Sequence, residues 1–303
     1  MRQIGFQDGE AALDWLRLTD ALADGHHLPR AEIADTFLYR GPDTMLNRSA
    51  WIDGLGLLVK VATIFPGNPN AGRPMINGAV SLFDGETGVL SALIDFHLVT
   101  KWKTAGDSLL AARRLARPDS RRILMVGAGT VGASMHDAYS AAFPQAAFTV
   151  WNRTPDRARA FAEARGTAWT DDLPQAVAEA DIVTCATMSS DPVLRGDWLR
   201  PGQHVDLIGA YRPDMREADD TALTRARIFV DSRATTLDHI GELKIPLAAG
   251  TIARDAVVAD YYDGDAFARR SDDEITLFKN GGGAHLDLMV AAHILSAVDG
   301  GPR

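Results

Sequence analysis

Apolar and polar positions follow two different rhythms along the 303 residues. In the first third, the spacing predicts an amphipathic helix over 9–24, with Ala12, Leu13, Leu16 and Leu22 among its apolar positions. A short strand is expected at 36–40, and a stronger one at 55–65 (LGLLVKVATIF), interrupted only by Lys60. The turn residues of 66–70 predict a loop. Two runs, 79–83 and 89–94, flank Asp84-Gly85-Glu86-Thr87-Gly88 and predict a hairpin. A helix over 99–116 then leads towards Pro118. From Arg121 the rhythm changes to solid apolar runs at 123–126, 147–151, 181–186, 204–208 and 227–231, separated by Ala- and Arg-rich helical stretches. Runs of that kind belong to strands buried on both faces, so they predict an α/β region with a parallel sheet between helices. Beyond Asp255 the pattern blurs. A short strand at 275–278, a glycine turn at 281–283 and a final helix over 284–298 close the chain.

The strand at 123–126 runs directly into Gly127-Ala128-Gly129-Thr130-Val131-Gly132 and then into helix-forming sequence. A GxGxxG between a strand and a helix is the context of a Rossmann dinucleotide site. Gly127 permits the tight turn, Gly129 the approach of a pyrophosphate, and Gly132 the close packing of helix on strand. The unpaired N–H groups at the helix start face the phosphate charge. The second strand ends in Trp151-Asn152-Arg153-Thr154, with no carboxylate before Asp156. An NAD site usually places an acid there. Arg153 can instead pair with a 2′-phosphate, and Asn152 and Thr154 can donate to it. The expectation is therefore NADP(H) favoured over NAD(H), the alternative being that Arg153 is an ordinary surface arginine.

Composition narrows the remaining classes. Hydrophobic residues make up 46% of the chain, yet no apolar run is long enough to span a bilayer. The first sixteen residues lack a signal peptide's apolar core, so a cytoplasmic protein without membrane contact is expected. A formal net charge of −9 argues against nucleic acid as a partner. The lone cysteine, Cys185, excludes an intramolecular disulfide and a cysteine-rich metal site. The eight histidines lack metal-ligand spacing, and no serine-hydrolase signature is present.

Several residues outside the glycine motif are candidates for chemistry. By period two, Lys60 shares a strand face with Leu58, Ala62 and Ile64. A buried ammonium there needs an anion or loses its proton more easily; an edge lysine reaching solvent is the bland alternative. Lys101 and Lys103 near a helix start oppose the helix dipole, which a bound anion would offset. Thr187 ends one strand run and Gly209, Ala210 and Tyr211 follow another, at the carboxyl ends where doubly wound sheets bind ligands. Tyr211 there either donates a proton or stacks on the ligand.

Together these segments resemble the ornithine cyclodeaminase/mu-crystallin family. The pieces are VTKWKTA at 99–105, GAGTVG, WNRT at 151–154, GDWLRPG at 196–202, GAYRPDMRE at 209–217 and VDS at 230–232. The resemblance implies a homodimer whose Rossmann-type doubly wound sheet is inserted into a smaller α+β substrate and dimerisation domain. The expected division is 1–117 plus 280–303 for the latter and 118–279 for the former. It also implies chemistry at the α-carbon of an imino or amino acid. Lys60 matches the family's substrate lysine, and Arg40 the arginine that grips the substrate carboxylate, with Arg48 the nearby alternative. Lys103 stands where the family usually has arginine, keeping the charge but not a bidentate grip. Tyr211 occupies the place of the cyclodeaminases' catalytic aspartate, and Asn47-Arg48 the region of their glutamate. Cyclisation of ornithine needs a base and then an acid, whereas an imine reductase does not need that pair. The expected function is thus NAD(P)H-dependent reduction of an α-imino acid or cyclic ketimine such as 1-pyrroline-2-carboxylate. The alternatives are an ornithine cyclodeaminase and a non-enzymatic, NADPH-dependent ligand binder. Arg48 and Lys101 leave cationic groups for a second substrate carboxylate.

Overall fold

The computed structural model describes residues 1–300, so the end of the expected first domain, 301–303, lies outside the described residues. The chain divides into two compact units, Met1–Gly106 with Gly283–Arg303, and Asp107–Gly282.

The first unit opens with β1 (Arg2–Ile4), α1 (Phe6–Ala12) and α2 (Trp15–Gly25). The single helix expected over 9–24 is two helices. Asp14 accepts hydrogen bonds from Leu16 N and Arg17 N, both at 3.0 Å, and so starts α2 as its N-cap. Then come β2 (Glu32–Arg40), β3 (Asp43–Ile52), β4 (Gly56–Ile64), β5 (Ile76–Phe83) and β6 (Leu90–Asp95). They form a six-stranded sheet ordered β1-β6-β5-β4-β3-β2. All its pairings are antiparallel except β1 with β6. β5 and β6 are the expected hairpin, whereas β3 had no counterpart in the expected elements. Alternation along β4 buries Leu58, Lys60 and Ala62 on one face. α3 (Phe96–Leu115) begins in this unit. Asp95 accepts from Leu98 N at 2.9 Å at its start, three residues earlier than the expected helix. Lys101 and Lys103 therefore lie past the first turn, where the dipole argument against them loses its force.

The second unit alternates strand and helix: β7 (Arg122–Val126), α4 (Thr130–Ala142), β8 (Ala147–Trp151), α5 (Pro155–Arg165), β9 (Ala168–Trp169), α6 (Leu173–Glu179), β10 (Ile182–Cys185), β11 (His204–Leu207), α7 (Asp220–Arg225), β12 (Arg227–Val230), α8 (Arg233–Thr236), α9 (Gly241–Ala248), β13 (Val257–Ala259) and β14 (Thr276–Lys279). The eight strands form one parallel sheet, ordered β13-β12-β14-β11-β10-β7-β8-β9. Leu124, Val183, Val205 and Leu277 are at most 1% exposed, as strands covered on both faces require. Strand order reverses between β7 and β10, the switch point at which such sheets bind ligands. The chain ends with α10 (Ala284–Val298), which belongs to the first unit and packs on β3 and β4. The fold is therefore a Rossmann-like parallel sheet combined with a smaller, mostly antiparallel domain.

Candidate active site

In the second unit, the turn after β7 has the geometry its glycines predict. Gly127 adopts φ +119°, and a side chain there would meet the Ala186 carbonyl at 2.6 Å. A Cβ on Gly132 would lie 2.3 Å from the Gly127 carbonyl, so only glycine lets α4 come this close to β7. Nothing lies within 4 Å of a Cβ built on Gly129, leaving open space over the turn. Gly129 is the N-cap of α4 and offers no side-chain cap, so the N–H groups of Thr130 and Val131 at the helix start are left for a ligand. An open cradle with uncapped amides fits a pyrophosphate.

At the end of β8, Asn152 Oδ1 accepts from Ala128 N at 3.2 Å, and Asn152 Nδ2 donates to the Thr154 carbonyl at 3.0 Å. Its amide thus braces the glycine turn through Oδ1 and one of its two N–H donors. Arg153 and Thr154 are exposed. Thr187 is bound through both its N–H and its hydroxyl to Glu217, and Gly209 and Ala210 donate their N–H groups to the same carboxylate. Tyr211 projects outward at 57% exposure beside Arg212.

In the first unit, the chemistry centres on Lys60. The residue is 6% exposed, and Nζ donates to Asp287 Oδ1 at 2.8 Å. Nζ also lies 4.8 Å from the Phe96 ring centroid, a cation–π distance. Arg48 is the register partner of Lys60 across β3 and β4. Its guanidinium bonds Asp35 at 2.8 Å and stands 3.9 Å from Asp287 Oδ2. That second Asp287 oxygen is buried and accepts no hydrogen bond. Burial pushes the Lys60 ammonium down to about 8; Asp287 opposes the shift, while Lys103 and Arg48 add to it. Lys60 first, then Lys103 and Arg48, hold the Asp287 carboxyl below its usual range against the effect of burial. Burial, with His26 and Lys103, pushes His285 down to about 3, so its ring is neutral at ordinary pH. Three cations thus share one neighbourhood with one fully buried carboxylate.

Arg40 is not part of this cluster. Its side chain is 89% exposed at the end of β2 and approaches Asp43 at 4.0 Å. The structure brings Arg48 to Lys60 instead. Lys101 is held by Glu10, which also accepts from Trp102 Nε1 at 2.7 Å. Asp287 was not a candidate from sequence, although an aspartate within the apolar run 284–298 is a signal of a paired buried charge. Among the described residues, no group of three or more His, Cys, Asp or Glu is placed to hold a metal ion, and no helix is long and apolar enough to cross a membrane.

A dinucleotide cradle and a buried lysine–carboxylate pair amid excess cations are features of an oxidoreductase for small anionic substrates. The family model of the ornithine cyclodeaminase/mu-crystallin family matches residues 52–301, and the chain belongs to that family. A Delta(1)-pyrroline-2-carboxylate reductase of Paracoccus denitrificans is 50% identical over 98% of this chain and 97% of its own. The Thermococcus litoralis Delta(1)-pyrroline-2-carboxylate reductase, solved with NADH and L-proline, superposes with a TM-score of 0.89 at 25% identity, covering 98% of this chain and 97% of that one. An archaeal alanine dehydrogenase dimer with bound NAD gives 0.88 at 25% identity, over 98% and 95%. These homologues are NAD(H)-dependent oxidoreductases, the pyrroline enzyme acting on a cyclic imino acid. The expectation of NADP(H) over NAD(H) is thereby overturned. At the end of β8, with Asn152 partly engaged by the backbone, one exposed Arg153 is a weak grip on a 2′-phosphate.

Proposed function

We propose that this protein is an NAD(H)-dependent reductase of 1-pyrroline-2-carboxylate, or a closely similar cyclic α-imino acid, yielding L-proline. The observation that carries the reading is the Lys60–Asp287 pair at 2.8 Å with Arg48 beside it. Such a cluster has positive charge left over for a substrate carboxylate. Arg48 and Lys103 hold that carboxylate, and Lys60 Nζ donates a hydrogen bond towards the imine end of the substrate. An imine accepts hydride readily only when its nitrogen is protonated, and an ammonium that titrates near 8 is a proton donor at neutral pH. Asp287 keeps Lys60 charged and aimed. Gly127, Gly129, Thr130, Val131 and Gly132 seat the pyrophosphate. Asn152, Arg153 and Thr154 lie at the adenosine ribose, and Thr187, Gly209 and Ala210 at the nicotinamide end, with Tyr211 at the rim. When bound, NADH supplies the hydride.

Charge bookkeeping favours a monocarboxylate. Lys101 is committed to Glu10, and Arg48 is already shared with Asp35, so no unshared cation of the two remains for a second carboxylate. A homodimer belongs to the same reading: Phe37, Leu38 and Tyr39 on edge strand β2 are 47%, 67% and 72% exposed, an apolar edge that a second copy would cover. The test is product analysis. Incubation with NADH and 1-pyrroline-2-carboxylate should give one L-proline per NADH consumed, with an iminodicarboxylate turned over far more slowly. NADH consumption without proline would refute the assignment.

A further inference from the structure

The loops after β10 and β11 carry Thr187 and Gly209, each two residues beyond the paired Cys185 and Leu207 at the carboxyl ends of neighbouring strands. The ladder ends there with Ile208 N donating to the Cys185 carbonyl at 2.9 Å. The next N–H groups turn to a single side chain. Glu217 Oε1 accepts from Thr187 N at 2.7 Å and Thr187 Oγ1 at 2.8 Å. Its Oε2 accepts from Gly209 N at 2.6 Å and Ala210 N at 3.3 Å. Glu217 is wholly buried and is itself fixed from behind. Its N–H and that of Ala218 donate to the buried Glu242 of α9 at 2.7 and 3.0 Å. The two turns press together so closely that a Cβ on Gly209 would lie 1.8 Å from the Thr187 carbonyl.

We infer that Glu217 is a positioning residue for the nicotinamide end of the cofactor site, holding the turns after β10 and β11 in the one spacing that admits the ring. The inference rests on the dinucleotide reading of the second unit. A carboxylate suits the task because it presents only acceptors, and all four donors point at it. Burial, with the nearby Glu242, raises its carboxyl to about 8, while Lys279 and the Thr187 donors pull it down; with two donors on each oxygen, the set is complete where the carboxyl is ionised, above about pH 8. In Glu217→Gln, either orientation of the amide sets an NH2 group against N–H donors. One turn is then released. The glycine cradle after β7 makes no such bond to Glu217, so the pyrophosphate and adenosine subsites keep their shape.

The test compares two ligands on the full chain by titration calorimetry, with thermal melts as a folding control. NADH should bind E217Q about tenfold or more weakly, the order of one lost charge-assisted hydrogen bond. ADP-ribose, which lacks the nicotinamide, should change by less than about twofold. In turnover, KM for NADH should rise while KM for the imine holds. Equal weakening of both ligands, or of neither, would overturn the inference. If E217Q does not fold, Glu242→Gln carries the same test, with the same selective loss expected. Failure of the unaltered chain to bind NADH would overturn the dinucleotide reading and this inference with it, whereas NADH binding without imine turnover would leave this inference standing and sink only the substrate.

Discussion

Replacing Asp287 by asparagine removes the anion to which Lys60 donates while leaving the shape of the side chain. In many buried pairs, deleting one partner costs about 3–5 kcal/mol because the other charge is stranded. Lys60 has an escape, since its ammonium titrates near 8 and can shed its proton. At pH 7 that release costs only about 1.4 kcal/mol, one tenfold step of protonation equilibrium. The stability loss attributable to Lys60 is capped there, equivalent to a melting shift of about 2 °C in a chain of 303 residues. Activity has no such escape. A neutral amine does not supply a proton to the imine, and a hydrogen bond from a charged group is worth about 1.5–3 kcal/mol. D287N should therefore lose roughly 10- to 150-fold in kcat/KM at pH 7. The assay is the initial rate of NADH oxidation with 1-pyrroline-2-carboxylate across about pH 6 to 9. For the unaltered enzyme, kcat/KM should fall as pH rises through about 8, where the ammonium is lost. With Asp287 gone, Lys60 holds its proton less well, so the descending limb should move to lower pH and acidification should recover activity. An unshifted limb, or activity within twofold of the parent, would refute the role of the pair.

Other expectations follow from the same geometry. Arg48→Leu should raise KM for the imine by roughly tenfold or more, as for a lost charged contact; Arg40→Leu, exposed and remote from the cluster, should stay within about twofold. Steady-state kinetics on the two variants separates them. Gly129→Ala meets open space and should melt like the parent yet bind NADH poorly. Gly132→Ala drives a methyl into the Gly127 carbonyl and should lose about 1–3 kcal/mol of stability. Thermal melts beside NADH titrations distinguish the two outcomes. NADH should be preferred to NADPH in kcat/KM; the reverse preference would return weight to Arg153.

The second unit was largely legible in the sequence because its signals are local. Strands buried on both faces read as solid apolar runs, and β8 occupies the expected 147–151. Edge strands β9 and β13, of two and three residues, are too short to stand out as runs. β3 was illegible for a different reason: Asn47, Arg48 and Ser49 break its apolar pattern, and those polar residues are tolerated because Arg48 faces Asp35 and Asp287. The candidate site residues divide likewise. Lys60 stood out as a charge inside an apolar strand, but its partner lies 227 residues away, beyond any periodicity. Glu217 reaches Thr187 across 30 residues, and only the sheet order shows why. The coenzyme expectation failed because the side-chain formula of Asn152 does not reveal that its amide is already bonded to the backbone.

The most direct test of the central claim is isotopic. NADH carrying deuterium at the transferring carbon of the nicotinamide should yield L-proline with one deuterium at the α-carbon when 1-pyrroline-2-carboxylate is the substrate. Unlabelled proline, or no proline while the coenzyme stays reduced, would contradict it.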